Sequence, residues 1–141
     1  MTHLDPFKPR FNPALAIGII VALLVLARWN CARGEELTAS WYSEASLKKE
    51  GTWKTSKGVM ANGQRFNEQA LTCATRDFKL NTLLKVTNCK NKKTVLVKVT
   101  DRIGRRFKGK RIDLSKRAFA QIAPLKQGII PVKVEIIREA Q

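Results

Sequence analysis

A small, mostly β barrel of about 100 residues, set behind an apolar N-terminal segment, is the fold this sequence predicts. Two alternating, Val-rich runs carry that expectation, Thr94 to Asp101 and Val132 to Ile136. Alternation with period 2 is the mark of a half-buried strand. The spacing of turn residues is the second observation, because Asn62-Gly63 and Asn88 to Lys92 separate short runs rather than long ones. The third is that a single stretch, after Asp113, shows a good helical period.

Length and composition narrow the choice. At 141 residues, one domain plus an extension is the natural organisation. An apolar share of 44% suffices for a modest core. The net charge of +16 gives a field that attracts polyanions such as nucleic acid, an anionic membrane surface or an acidic wall polymer. Three cysteines, Cys31, Cys73 and Cys89, are too few for a disulfide framework. No C-x-x-C pair is present and the one histidine is His3, so no zinc or other metal site is expected. No cofactor is implied.

Met1 to Pro13 is a polar lead carrying Lys8 and Arg10, and residues 14–27 are unbrokenly apolar. As a helix that run spans roughly 21 Å, short of the ~30 Å hydrocarbon core. A basic lead followed by a short apolar run is the pattern of export signals. Residues 1–32 are therefore read as a signal peptide cleaved after Ala27, or as an uncleaved signal anchor that holds the chain to the inner membrane. Both readings place the remainder outside the cytoplasm, in the periplasm or cell envelope, secreted or anchored. Arg28-Trp29-Asn30 lacks the small residues that lipidation at Cys31 requires.

The barrel domain is expected over residues 33–138. Arg33 to Leu37 is a charged connector and Ala39 to Ser43 a first strand. Ser46 to Lys57 is Lys-rich without a firm period and reads as a loop. After the Ala61-Asn62-Gly63-Gln64 turn, Leu83 to Thr87 is a strand that pairs through Asn88 to Lys92 with Thr94 to Asp101 as a hairpin. Gly104 to Lys110 is a basic loop. Asp113 is the expected N-cap of the helix, with Leu114, Ala118 and Ile122 at i, i+4 and i+8, and Ser115 in its first turn. Pro124 closes it. Val132 to Ile136 is the last strand.

The residue that draws attention is Asp101. Strict alternation points Val95, Val97, Val99 and Asp101 to one face. A carboxyl at the open end of an apolar row is partly desolvated, which favours the protonated form a general acid needs. Arg102, Arg105 and Arg106 act in the opposite sense.

Six blocks in order resemble a known family. They are Ala39 to Tyr42, Ala61 to Asn67, Ala70 to Ala74, Leu84 to Asn88, Val99 to Arg102 and Arg111 to Ser115. Together, over about Leu37 to Ile137, they look like the RlpA-like (rare lipoprotein A) domain, a six-stranded double-psi β-barrel more distantly similar to expansins and barwin-like proteins. The resemblance implies a periplasmic lytic transglycosylase that cleaves peptidoglycan glycan strands endolytically, acting on strands that lack stem peptides, often at the septum. It places the family's aspartate on Asp101, as a single acid/base. The family's histidine falls on Thr75, its glutamate on Gln64, and a further acidic position on Asn67, so three titratable groups have become neutral hydrogen-bonding ones. Its Gly-Pro after Asp-Arg is here Ile103-Gly104. Thr75, Gln64, Asn67, Arg102 and Tyr42 are the residues expected to bind substrate, with Asp113 and Ser115 structural. A one-carboxyl reaction is sufficient for a transglycosylase, because the sugar's own hydroxyl attacks, whereas two-carboxylate hydrolysis needs a partner. The rival reading is a catalytically impaired module of the same fold that only binds glycan strands or cell wall.

Cys73 and Cys89 are a candidate disulfide if the chain is exported, the alternative being two small apolar side chains. Trp41 and Tyr42 fit either a sugar-stacking role or the core. The basic loop suits the carboxylates of a wall polymer. No helix-turn-helix, zinc or ribonucleoprotein pattern accompanies the charge, so no nucleic-acid partner is expected.

Overall fold

The computed structural model describes residues 35–141. The expectations for the signal or anchor, residues 14–27 and Cys31 lie outside the described residues. Among the described residues, no helix is long and apolar enough to cross a membrane.

Six strands close into a barrel: β1 (Glu35–Tyr42), β2 (Thr72–Ala74), β3 (Leu83–Asn88), β4 (Thr94–Asp101), β5 (Arg111–Ser115) and β6 (Ile130–Arg138). Their order around it is β1-β5-β2-β4-β3-β6. β1 runs parallel to β5 and β2 parallel to β4, while the other neighbours are antiparallel. The expected hairpin forms, Leu83 to Thr87 pairing with Lys98 to Thr94. Val95, Val97 and Val99 are buried and Thr94, Leu96 and Lys98 are exposed, as the alternation requires.

The main core fills the barrel with Leu84, Val86, Val97, Val99, Ile112 and Leu114. It is closed at one side by α3 (Lys116–Ile122), whose Ala118, Phe119 and Ile122 are buried. A smaller apolar cluster of Tyr42, Ala74 and Ile103, with Leu47, Phe66 and Phe107 against it, stands apart from that core.

Three expectations are corrected. Ser46 to Lys57 is not a loop, because α1 (Glu44–Lys49) and α2 (Thr52–Ser56) occupy it. A capping box accounts for α1: Ser43 accepts from the Ser46 N–H at 3.2 Å, and Ser46 Oγ accepts from the Ser43 N–H at 2.9 Å. Gly58 ends this region at φ +74, with a Trp53 ring carbon 2.8 Å from where a Cβ would stand, so only glycine fits there. Second, Asp113 caps no helix. It lies inside β5, and Ser115 is the N-cap, accepting from the Ala118 N–H at 3.3 Å and donating to Ala70 O at 2.6 Å. The helical period at Leu114, Ala118 and Ile122 ran one turn too far back, since Leu114 is a buried strand residue. Third, Cys73 and Cys89 are not bonded to each other. Cys73 is a free, fully buried thiol on β2. Cys89 is disulfide-bonded, and not to Cys73.

Candidate active site

The ladder registers build the site. Ser40 on β1 pairs with Asp113 on β5, Asp113 with Ala74 on β2, and Ala74 with Asp101 on β4. Paired residues project to the same face. These four side chains therefore form a transverse row across four adjacent strands, facing a groove of about 720 Å³. Strand spacing puts the Asp101 and Asp113 backbones roughly 10 Å apart with only the Ala74 methyl between them.

Asp101 reaches this row through an irregularity. Cys73 pairs with Val99, yet the next residue, Ala74, pairs with Asp101. Thr100 is the extra residue, a β-bulge. Without it Thr100 would stand opposite Ala74. The bulge brings Asp101 there instead and moves it off the face of Val95, Val97 and Val99, so the shared face expected from strict alternation is corrected at this one residue. The Thr100 hydroxyl is left buried without a hydrogen-bond partner.

One oxygen of Asp101 is fixed and the other open. Oδ1 accepts from the Ala61 N–H at 3.0 Å and the Arg102 N–H at 2.8 Å. No hydrogen bond to Oδ2 is present among the described residues. The Ala61-Asn62-Gly63-Gln64 turn supplies this support: Asn62 N–H donates to Thr100 O at 3.1 Å, and Gly63 holds φ +85. The Arg102 guanidinium does not clamp the carboxylate. It turns away, Nη1 donating to Thr75 O at 2.8 Å and Phe78 O at 2.6 Å.

Asp113, across Ala74, is held differently. Arg111 Nη2 donates to its Oδ2 at 2.9 Å, Arg111 Nε lies 2.7 Å from its Oδ1, and Ser40 Oγ donates to Oδ1. Phe107 stacks under the Arg111 guanidinium at 4.0 Å. Both oxygens are thus engaged. The Arg111-x-Asp113 spacing, which puts both on one face of a strand, was the available sequence signal for this pair.

Tyr42 lies beneath the row, its ring 4.8 Å from that of Phe66. Burial pushes its hydroxyl well above the usual tyrosine range; the charge of Asp101 adds to this, followed by Cys73 and Asp113, while Thr72 acts against it. The hydroxyl has no hydrogen-bond partner of good geometry. Burial likewise drives the Cys73 thiol upward, with Asp113 a further contributor.

Of the residues expected to bind substrate, Arg102 and Tyr42 line the groove with Asp101. The other three stand away from it. Thr75 is buried, its hydroxyl bonded with Asp77 and its N–H with Asp101 O. Gln64 is tied to Asn62, its Oε1 accepting at 3.0 Å. Asn67 Oδ1 accepts from the Gln69 N–H at 2.9 Å in an exposed turn. Trp41 also lines the groove, its indole N–H donating to Leu125 O at 3.1 Å.

Comparison with known proteins accords with this geometry. The family model described as lytic transglycolase matches residues 34–134. A Campylobacter jejuni protein named endolytic peptidoglycan transglycosylase RlpA is 42% identical over 99 residues, which are 70% of this chain and 32% of that protein. A probable endolytic peptidoglycan transglycosylase RlpA of Aquifex aeolicus is 37% identical over 100 residues, 71% of this chain and 40% of that one. The chain thus spans about a third to two-fifths of the length of these relatives. Among solved structures, a Streptomyces papain inhibitor superposes with a TM-score of 0.51 at 21% identity, covering 74% of this chain and 98% of that one, a likeness of fold. With its six-stranded barrel closed as the resemblance implied and the family model spanning nearly all the described strands, this chain belongs to the lytic transglycolase family of RlpA-like double-psi β-barrels.

Proposed function

We propose that the chain is a peptidoglycan lytic transglycosylase that cuts glycan strands endolytically, with Asp101 as its single acid/base. The observation that carries this reading is the open Oδ2 of Asp101 in a groove where Oδ1 is already held by two backbone donors. Fixing one oxygen sets the direction of the other, as proton transfer requires. In the first step Asp101 gives a proton to the glycosidic oxygen as the bond to the anomeric carbon breaks. That carbon becomes oxocarbenium-like. Asp113 stands across the groove as an ion-paired, oriented wall, with Arg111 and Ser40 holding it in place. In the second step the sugar's own hydroxyl attacks the anomeric carbon and its proton returns to Asp101, so no water enters and no second free carboxyl is needed. Ala74 leaves the floor between the two carboxylates low enough for a pyranose ring. Action on peptidoglycan places the chain outside the cytoplasm, with residues 1–32 as export signal or membrane anchor.

Purified protein should release anhydro-muropeptides or glycan fragments from sacculi stripped of stem peptides, and Asp101→Asn should not. Sedimentation with sacculi and no release by the wild type would overturn the enzymatic reading and leave a glycan-binding module of the same fold.

A further inference from the structure

Beside the groove lies a second pocket of about 420 Å³, lined by Arg76, Arg102, Arg105 and Lys108, all cationic. Arg76 and Arg102 are half-buried and make its floor, while Arg105 and Lys108 are exposed and make its rim. Among the described residues, no carboxylate forms an ion pair with any of the four. Asp77, next to Arg76 in sequence, is engaged instead by the Gly109 N–H at 2.8 Å and by the Thr75 hydroxyl. Like charges gathered in a half-buried place cost free energy unless an anion joins them. Both floor guanidiniums are preset by main-chain carbonyls: Arg76 Nε donates to Ile103 O, and Arg102 Nη1 to Thr75 O at 2.8 Å and to Phe78 O at 2.6 Å. A carbonyl acceptor orients a guanidinium without cancelling its charge. Among the described residues, neither terminal nitrogen of Arg76 meets a protein acceptor, and Nη2 of Arg102 meets none, so each keeps open donors.

We propose that this pocket binds a phosphate group with three free oxygens, as free phosphate or as a monoester. The site stands beside the Asp101 groove and does not depend on the glycan reading. The number and directions of its donors favour phosphate over carboxylate. A carboxylate brings one charge and two coplanar oxygens, which one guanidinium fork already satisfies. A phosphate monoester carries about −1.5 to −2 charge near pH 7 and three strong acceptor oxygens. Its tetrahedral shape lets it meet both floor guanidiniums and still present an oxygen to the rim. A phosphodiester has one charge and two free oxygens, and matches four cations less well. Arg76 follows β2 and Arg102 follows β4, whereas Arg105 and Lys108 ride on the basic loop that leads to β5. A phosphate held by all four therefore ties that loop to the barrel. It also braces Arg102, whose N–H holds Asp101 Oδ1. Free phosphate and the monoester headgroup of a lipid present the same chemistry, and the probes separate them.

The full chain is titrated at a constant ionic strength of about 0.1 M, where exposed charges still act over roughly 10 Å, and backbone amide signals are followed by NMR. Four probes are used: inorganic phosphate, acetate, dihexanoyl phosphatidic acid, whose headgroup is a monoester, and dihexanoyl phosphatidylglycerol, a diester with the same tails. Phosphate should move the amide signals of Arg76 and of residues 102–109. It should bind about tenfold more tightly than acetate, the worth of one further hydrogen bond to a charged group. Lys108→Glu at the rim and Arg76→Gln at the floor should each weaken phosphate about tenfold by the same measure. Lys93→Glu makes the same charge change as Lys108→Glu at the β3–β4 turn, the opposite end of β4 from Asp101, and should leave phosphate binding intact. Phosphate no tighter than acetate, equal losses in Lys93→Glu and Lys108→Glu, or signal changes centred on residues 90–93 would each overturn the site, while glycan release by the wild type stands or falls separately. Phosphatidic acid binding more tightly than both inorganic phosphate and the diester assigns the site to a lipid headgroup. Inorganic phosphate binding more tightly than phosphatidic acid assigns it to free phosphate. The diester binding as tightly as phosphatidic acid overturns the requirement for three free oxygens.

Discussion

Asp101 and Asp113 stand on either side of one alanine, on strands of the same sheet, and are held in opposite ways. Asp113 has a side-chain cation and a hydroxyl on its two oxygens. Asp101 has two backbone amides on one oxygen and none on the other. Side-chain partners move with their own rotamers and change the charge of the neighbourhood. Backbone amides aim a carboxyl without neutralising it. The contrast is what supports the proposal of proton transfer for Asp101 and leaves Asp113 as an ion-paired, fixed neighbour.

The sharpest way to break the contrast is to neutralise each carboxyl in turn. Asp101→Asn keeps an oxygen for both backbone donors, so the fold should hold while glycan release falls by about 10³-fold, within the range for a lost general acid. Asp113→Asn leaves Arg111 without its anion in a half-buried place. Release should fall by a smaller factor, about 10- to 100-fold, and chemical denaturation should show a loss of about 1–3 kcal/mol. Equal activity losses from the two variants would mean that the carboxyls share the proton work. Ala74→Leu should also stop release with both carboxyls intact, by filling the floor between them. Co-sedimentation with sacculi should fall in parallel, unlike in Asp101→Asn.

How much of this was readable beforehand follows the same contrast. The β4 alternation, the hairpin and the Asn62-Gly63 turn were legible because each rests on a local rule of period or turn chemistry. Asp101 was legible as a candidate, but its face was not. A bulge at Thr100 depends on how β4 meets a three-residue strand, and Thr72 to Ala74 is too short to show a period of its own. Asp113 was misplaced for a related reason. An aspartate ahead of Leu-Ser and a helical repeat satisfies the N-cap rule, and Ser115 satisfies it too; only the parallel pairing of β5 with β1, 73 residues apart at Ser40 and Asp113, decides between them. Thr75, Gln64 and Asn67 follow the family's blocks in sequence, yet their neutral side chains bond locally and do not line the groove.

The mildest expected effect concerns the groove bed rather than its carboxyls. Tyr42 and Cys73 stay protonated in the folded chain well above their ordinary values of 10.0 and 9.0. In the unfolded chain they ionise near those values. The folded state then binds more protons than the unfolded one, so the contribution is fully present below pH 9 and is lost as the pH climbs past 9 and then 10. Denaturation midpoints should decline over that range. Cys73→Ser should remove the part that begins at pH 9, and Tyr42→Phe the part that begins at pH 10. At neutral pH, Tyr42→Phe should cost little stability, because the hydroxyl it deletes has no hydrogen bond of good geometry to lose. A neutral-pH loss in glycan release by Tyr42→Phe at unchanged stability would give that orphan hydroxyl a role towards the sugar. Unchanged release would leave Tyr42 as the apolar support on which the row of Ser40, Asp113, Ala74 and Asp101 rests.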